Sequence, residues 1–201
     1  MTAVTPEIRQ ATAADLGWAK EVLGRAFEDD PVWEWVIPTR KSRRLGRLST
    51  VMRLFMEAHL PDGEVFVTEE RTAVGVWCPP KTWRVPEAFY FRKAPQILRS
   101  LGVSRIRSLM ALGAIEKAHP REPHHYLAML GTDPDHQGKG HGGQLITAVT
   151  ERADTEGVGC YLESSKASNL PYYGRFGFEV TGEFHLPGGP TMWFMWRDPR
   201  G

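Results

Sequence analysis

Apolar residues recur along this chain at two spacings. One, near 3.6 residues, predicts helices; the other alternates or runs solid over a few residues and predicts strands. Leu16, Ala19, Val22, Leu23, Ala26 and Phe27 share one helical face. Thr12 and Asp15 open that helix as a capping pair. Glu28-Asp29-Asp30-Pro31 closes it, because proline keeps the residue before it out of the α region. Leu45, Leu48, Val51, Met52, Phe55 and Ala58 mark a second amphipathic helix. Residues 7–10 read as a short first strand, and residues 64–68 and 73–78 alternate around a polar turn as a hairpin that Pro79-Pro80 closes. A solid apolar run over 125–131 predicts a strand buried on both faces, stopped by Asp133-Pro134-Asp135. Leu145, Ile146, Val149 and Ala153 resume helical spacing until Gly157, and a further apolar run begins near Cys160. Residues 178–186 and 191–197 bracket Pro187-Gly188-Gly189-Pro190 as a terminal hairpin.

Residues 83–119 join the first hairpin to the 125–131 strand, a long connection by ordinary loop statistics. Ile106, Leu109, Leu112 and Ile115 predict a helix near its end, and Trp83, Phe89, Tyr90 and Phe91 supply aromatic surface earlier. Two readings are open. The segment is a lid or wall over a ligand site, or it is a structural helical hairpin.

The chemistry concentrates between the 125–131 strand and the helix after it, in Gln137-Gly138-Lys139-Gly140-His141-Gly142-Gly143. Without a Cβ, the glycines let backbone N–H groups press against an anion. The helix that follows turns its four unpaired N–H groups and its positive end toward them. A phosphate or pyrophosphate fits there, and the position between strand and helix favours this over a plain surface turn. Lys139 is followed by Gly140 rather than Ser or Thr, so the loop is not a Walker loop. Gly138-x-Gly140-x-Gly142 lacks the Rossmann spacing.

Composition narrows the class. With 201 residues, 41% hydrophobic and 24% charged, the chain suits one globular domain spanning 1–201. A net charge of +1 argues against a general nucleic-acid or membrane binder. No apolar run approaches the ~20 residues of a membrane span, and MTAVTPEIRQ has no signal-peptide pattern, so a cytoplasmic protein is expected. Cys78 and Cys160 are too few for a disulfide framework or zinc site, and no metal is expected. The basic run Arg40-Lys41-Ser42-Arg43-Arg44 with Arg47 reads as a solvated face rather than a phosphate site.

Gln137, Gly140 and Gly142 match the Q/R-x-x-G-x-G/A signature of the GCN5-related N-acetyltransferases (GNAT), and Tyr173 to Phe178 resembles that family's Y-x-x-x-G-F segment. LGTDPDHQGKG, YLESS, NLPYYGRFGFEVTG and the closing GP-x-x-W-x-M-x-R are similar to the puromycin N-acetyltransferases over about residues 120–201, and much more loosely before that.

The resemblance implies an α/β (α+β) fold. Its mixed, mostly antiparallel twisted sheet has six or seven strands flanked by helices, and its two central parallel strands splay apart. Residues 83–119 would be a helical insertion between strands 3 and 4. Acceptor-side elements would occupy about 1–120, the acetyl-coenzyme A core about 121–180 and a terminal hairpin 178–197.

The resemblance further implies acetyl-CoA as cosubstrate, its pyrophosphate on Gln137, Gly138, Lys139, Gly140, His141, Gly142 and Gly143. The pantetheine arm would lie along Leu130, Gly131 and Thr132, with a backbone N–H stabilising the oxyanion. Tyr173 would protonate the departing sulfur, and Glu163 would serve as base or else as a structural carboxylate. Many relatives carry an asparagine where this chain has Lys166, and Asn169 is the nearest substitute, or else a cap for the helix beginning at Leu170. Asp29, Asp30, Trp33 and Trp35 would meet the acceptor, or would be solvated acids and core tryptophans.

His124 and His125 would relay protons or be solvated at the strand end. Cys160 has no evident histidine partner and is not expected to be a nucleophile. The implied function is direct acetyl transfer to a small-molecule amine by a monomer or homodimer. A protein N-terminal or lysine acetyltransferase, and a non-catalytic acyl-CoA sensor, are the alternatives.

Overall fold

The computed structural model describes residues 7–62, 64–101 and 105–200, with the side chains of Lys41, Ser42 and Arg105 outside that description. The first six residues of the segment inspected for a signal peptide also lie outside it.

Seven strands form one sheet: β1 (Ile8–Gln10), β2 (Val65–Thr68), β3 (Ala73–Cys78), β4 (His124–Thr132), β5 (Gly159–Ser164), β6 (Glu179–His185) and β7 (Thr191–Arg197). Their order is β1-β2-β3-β4-β5-β7-β6, with every neighbouring pair antiparallel except the central β4–β5. Helices α1 (Leu16–Ala26), α2 (Pro31–Val36) and α3 (Lys41–His59) precede the first hairpin. Helices α4 (Glu87–Leu101) and α5 (Arg105–Ala118) lie between β3 and β4; α6 (His141–Glu156) and the short α7 (Leu170–Gly174) flank β5.

Alternation along the strands sorts side chains to two faces. On one, Ile146, Val149 and Ala153 of α6 pack on Trp77, Leu127, Cys160, Leu162 and Met195. On the other, Leu16, Ala19 and Leu23 of α1 and Leu48, Met52 and Met56 of α3 pack on Val67, Val74, Val76 and Met129. The C-terminal segment is pinned to α6 by Arg197, whose guanidinium meets both carboxylate oxygens of Asp154 at 2.7 and 2.6 Å. No described helix is long and apolar enough to cross a membrane.

Three elements differ from the sequence expectation. Asp15 does accept from the Thr12 backbone N–H at 2.8 Å, as a capping pair requires, but the Thr12 hydroxyl also donates to Asp15 instead of capping the helix. The same carboxylate takes both ends of the Arg9 guanidinium at 2.8 Å, and that pairing holds it well below the usual carboxylate range. After Pro31 a separate helix forms, because the Asp30 side chain accepts from the N–H groups of Val32 and Trp33 and proline occupies the first turn. The 83–119 connection contains two helices, where periodicity marks only the second. In α5 the expected apolar face divides: Ile106 is 72% and Leu109 67% exposed, while Ile115 packs on the core beside the buried Ala111 and Ala114. Small residues there let α5 settle closely against its neighbours.

Helix α1 crosses β4 at Gly131, where a Cβ would sit 2.8 Å from Leu23 Cδ2 and 2.9 Å from Ala26 Cβ. Gly131→Ala is therefore expected to destabilise the protein by ~1–3 kcal/mol, the range for overpacking a filled core. Chemical denaturation with an unchanged m-value measures this, and a change below ~0.5 kcal/mol would show that α1 yields freely.

Candidate active site

The site begins with a break in the sheet. β4 and β5 pair only from His124↔Gly159 to Leu127↔Leu162. Beyond this β4 continues on β3 as far as Thr132↔Ala73, and β5 continues on β7 as far as Ser164↔Trp193. The register between β3 and β4 slips at the same point, with Leu127 opposite Trp77 and Met129 opposite Val76, so Ala128 is an extra residue in β4. Such a bulge bends its strand. The bend carries β4 away from β5 and leaves backbone groups of residues 128–132 without a ladder partner on that side, ready for an extended ligand.

A cavity of about 430 Å³ occupies the gap, lined on β4 by Leu130, Gly131 and Thr132 and on β5 by Glu163 and Ser164. It continues to Gln137, Asn169 and Tyr173 on one side and to side chains of α2, α3, α4 and α5 on the other. That volume lies within the range typical of small-molecule sites.

The glycine loop adjoins this gap. Gly138 and Gly140 have φ of +76° and +90°, and nothing lies within 4 Å of where a Cβ would be. Glycine is needed for the left-handed backbone, not for space. Gly140 is the N-cap of α6, no side chain caps that end, and its first turn carries no acid. His141 is buried, its Nδ1 3.0 Å from the Thr72 hydroxyl, so its ring is turned inward. The start of α6 therefore has no side-chain cap for its backbone amides, the condition under which a helix end can take an anion. Lys139 Nζ donates to the Asp135 carbonyl at 3.1 Å, and Gln137 Nε2 to the Thr132 carbonyl at 3.3 Å. Gln137 lines the cavity, whereas the loop from Gly138 to Gly143 lies outside its lining.

Glu163 is the notable carboxyl. Burial pushes it up to about 7, against the opposite pull of the Tyr126 and Tyr161 hydroxyls. Its Oε1 is buried and makes no hydrogen bond within the described residues. Such an oxygen can accept a proton near neutral pH. Tyr173 lines the same cavity, and burial raises its phenol well above the ordinary value, so it stays protonated and able to donate. Asp30 lines the cavity but is committed: it caps α2 and accepts from Ser165, and burial pushes its carboxyl up. Asp29 pairs with Lys166 at 2.6 Å. Lys166 thus spans from the β5 end to the α1–α2 junction. Asn169 lines the cavity, and its side chain makes no cap bond to α7.

Trp33 lines the cavity, but Trp35 does not. Trp35 lies against the β6–β7 turn, its Nε1 donating to the Gly188 carbonyl at 2.8 Å, with Arg107 stacked 5.5 Å from its ring centroid. His124 and His125 are buried rather than solvated. His125 Nε2 lies 2.7 Å from Glu156, and His124 Nε2 lies 3.1 Å from Nε2 of His119. Burial, with His124 alongside, pushes His119 down to about 4. Cys160 is buried and free, its thiol pushed up to about 12 by burial, which leaves no thiolate at neutral pH. Arg44 of the basic run is drawn inward onto Glu34 and the Glu28 carbonyl. Among the described residues no group of three or more His, Cys, Asp or Glu is placed to hold a metal.

Tyr126 and Tyr161, the two phenols beside Glu163, were not anticipated. The available signal was alternation, since Tyr161 and Glu163 are two residues apart on β5 and share a face.

Comparison with known proteins matches residues 52–178 to the acetyltransferase (GNAT) family. An uncharacterised N-acetyltransferase of Schizosaccharomyces pombe is 26% identical over 200 residues, covering 89% of this chain and 76% of that protein. Among solved structures, a protein of Corynebacterium glutamicum described as histone acetyltransferase HPA2 and related acetyltransferase superposes with a TM-score of 0.76 at 24% identity, covering 98% of each chain. The polyamine N-acetyltransferase of Drosophila melanogaster, which forms N-acetylagmatine, superposes at 0.65 with 18% identity, over 96% of this chain and all of that one (100%).

Proposed function

Because the chain belongs to the acetyltransferase (GNAT) family, we propose that it moves an acetyl group from acetyl-CoA directly to the amine of a small molecule. The observation that carries this is one continuous cavity holding both an unpartnered Glu163 oxygen near neutrality and a protonated Tyr173. The small-amine acceptors of the Drosophila enzyme support the choice.

The amides of Gly140, His141, Gly142 and Gly143 hold the pyrophosphate, and backbone from Leu130 to Thr132 takes the pantetheine as an added strand. Acetyl-CoA supplies the activated acetyl group. Glu163 takes a proton from the entering ammonium and passes it to solvent, leaving the nitrogen lone pair free to attack. A backbone N–H after the Ala128 bulge meets the charge that develops on the carbonyl oxygen. Tyr173 protonates the sulfur as the C–S bond breaks and recovers its proton from the nitrogen that has formed the amide. One proton is released overall. Acyl-enzyme chemistry is not invoked, since Cys160 has no thiolate to offer.

Calorimetry of acetyl-CoA binding, followed by thiol release with a panel of amines that includes puromycin, tests this reading. Binding with amine-dependent thiol release is expected. Binding without release from amines, peptides or lysine-containing proteins would favour a sensor, and absence of binding would overturn the assignment of the glycine loop.

A further inference from the structure

The cavity treats its two ends differently. Every side chain contributed by α3, α4 and α5 is uncharged, and apart from Ser108 and the Tyr90 hydroxyl these residues are apolar. Phe55, Phe89, Tyr90, Leu112 and Ile115, with Trp33 of α2, represent this wall. The lining carboxyls are Glu163 of β5 and two acids held by residues just beyond β5, Asp30 on Ser165 and Asp29 on Lys166. The one acid of α3, Glu57, is not part of the cavity lining and is paired with Arg53 at 2.8 Å and Lys93 at 2.6 Å. A second ammonium on a substrate would thus meet no counter-charge at the wall and would lose its hydration there.

We propose that the acceptor is a primary amine with a single cationic centre and an apolar, aromatic-sized body. Its nitrogen approaches Glu163 while the body lies between α3 and the α4–α5 insertion, so diamines and polyamines are poor acceptors. A phenyl-sized body needs ~150 Å³, which leaves room for the reacting end within the cavity of about 430 Å³. On this reading the insertion determines specificity. The inference rests on the acetyl-transfer reading above and names the substrate class of that site.

The test compares kcat/KM for 4-phenylbutylamine and 2-phenylethylamine with that for 1,4-diaminobutane and spermidine, using the full chain and saturating acetyl-CoA. Preference for the phenyl amines of about a hundredfold or more is expected, the scale on which an apolar pocket rejects a body carrying an added polar group. Equal or better turnover of the diamines, with acetyl-CoA still bound and thiol still released, would overturn this inference and leave acetyl transfer standing. Failure of acetyl-CoA to bind, or of thiol to be released with either class, would overturn both.

Leu112→Asp places a carboxylate on the wall at a position already 46% exposed, where it can be carried without unfolding. It is expected to narrow the preference roughly tenfold, weakening 4-phenylbutylamine and improving 1,4-diaminobutane, with acetyl-CoA affinity as the folding control. An unchanged preference in a variant that binds acetyl-CoA normally would place the acceptor body elsewhere.

Discussion

Replacing Tyr173 with phenylalanine is expected to lower kcat ~10²-fold while leaving acetyl-CoA affinity within about twofold, the lower end of what a positioned general acid contributes. The ring stays, so its packing within the cluster around Leu162 and Phe178 is kept. The lost function is proton donation to sulfur. Burial holds the phenol well above its ordinary range, so it arrives at the reaction protonated at any pH where an amine can attack. Acyl thioesters of more acidic thiols, which need less protonation on departure, are expected to recover part of the loss. Unchanged kcat, or an equal loss for every leaving thiol, would remove Tyr173 from the acid role.

Replacing Glu163 with glutamine is expected to cost ~10²–10³-fold in kcat/KM at pH 7.5 and to abolish a rise in activity with pH centred near neutrality. Burial holds this carboxyl near 7, above its ordinary 4.5. The same shift has a consequence for stability. Between pH 4.5 and 7 the folded protein keeps a proton that the unfolded chain has lost, so the group's stabilising contribution is full below about 4.5 and disappears as pH rises through 7. Glutamine mimics the protonated form. The variant is therefore expected to be more stable than the parent at pH 8.5, by ~2–4 kcal/mol, with the difference vanishing by pH 4.5. Wild-type kinetics in the variant would show that Glu163 is structural, and equal stability at all pH values would show that its carboxyl is not shifted.

Local features were legible. The Gln137–Gly143 loop needs only glycines between a strand and a helix, and both flanks announce themselves by period within about fifteen residues. The hairpins, the positive-φ glycines and the segment ending at Phe178 are of the same kind, because turn chemistry and alternation act between near neighbours. Helix α2 was also written locally, in Asp30-Pro31, but six residues are too few for a period to show. The N-terminal half of the α5 face was misread for a different reason. Ile106 and Leu109 carry the larger hydrophobes, yet the side with Ala111 and Ala114 permits the closer approach.

What the residue order alone determined, then, was most of the elements and the glycine loop between β4 and α6, since each depends on contacts a few residues apart. The tertiary structure decided the chemistry of the cavity. Parallel register brings Tyr126 of β4 beside Tyr161 of β5 and thereby frames Glu163, and an extra residue at Ala128 coincides with the end of that pairing, where the cavity opens. Folding the 83–119 connection into two helices walls the far end with uncharged side chains. It also sent Trp35 to the β6–β7 turn and tied Asp29 to Lys166. These outcomes depend on groups up to more than a hundred positions apart, whose meeting is set by packing of the whole sheet and its helices rather than by spacing along the chain.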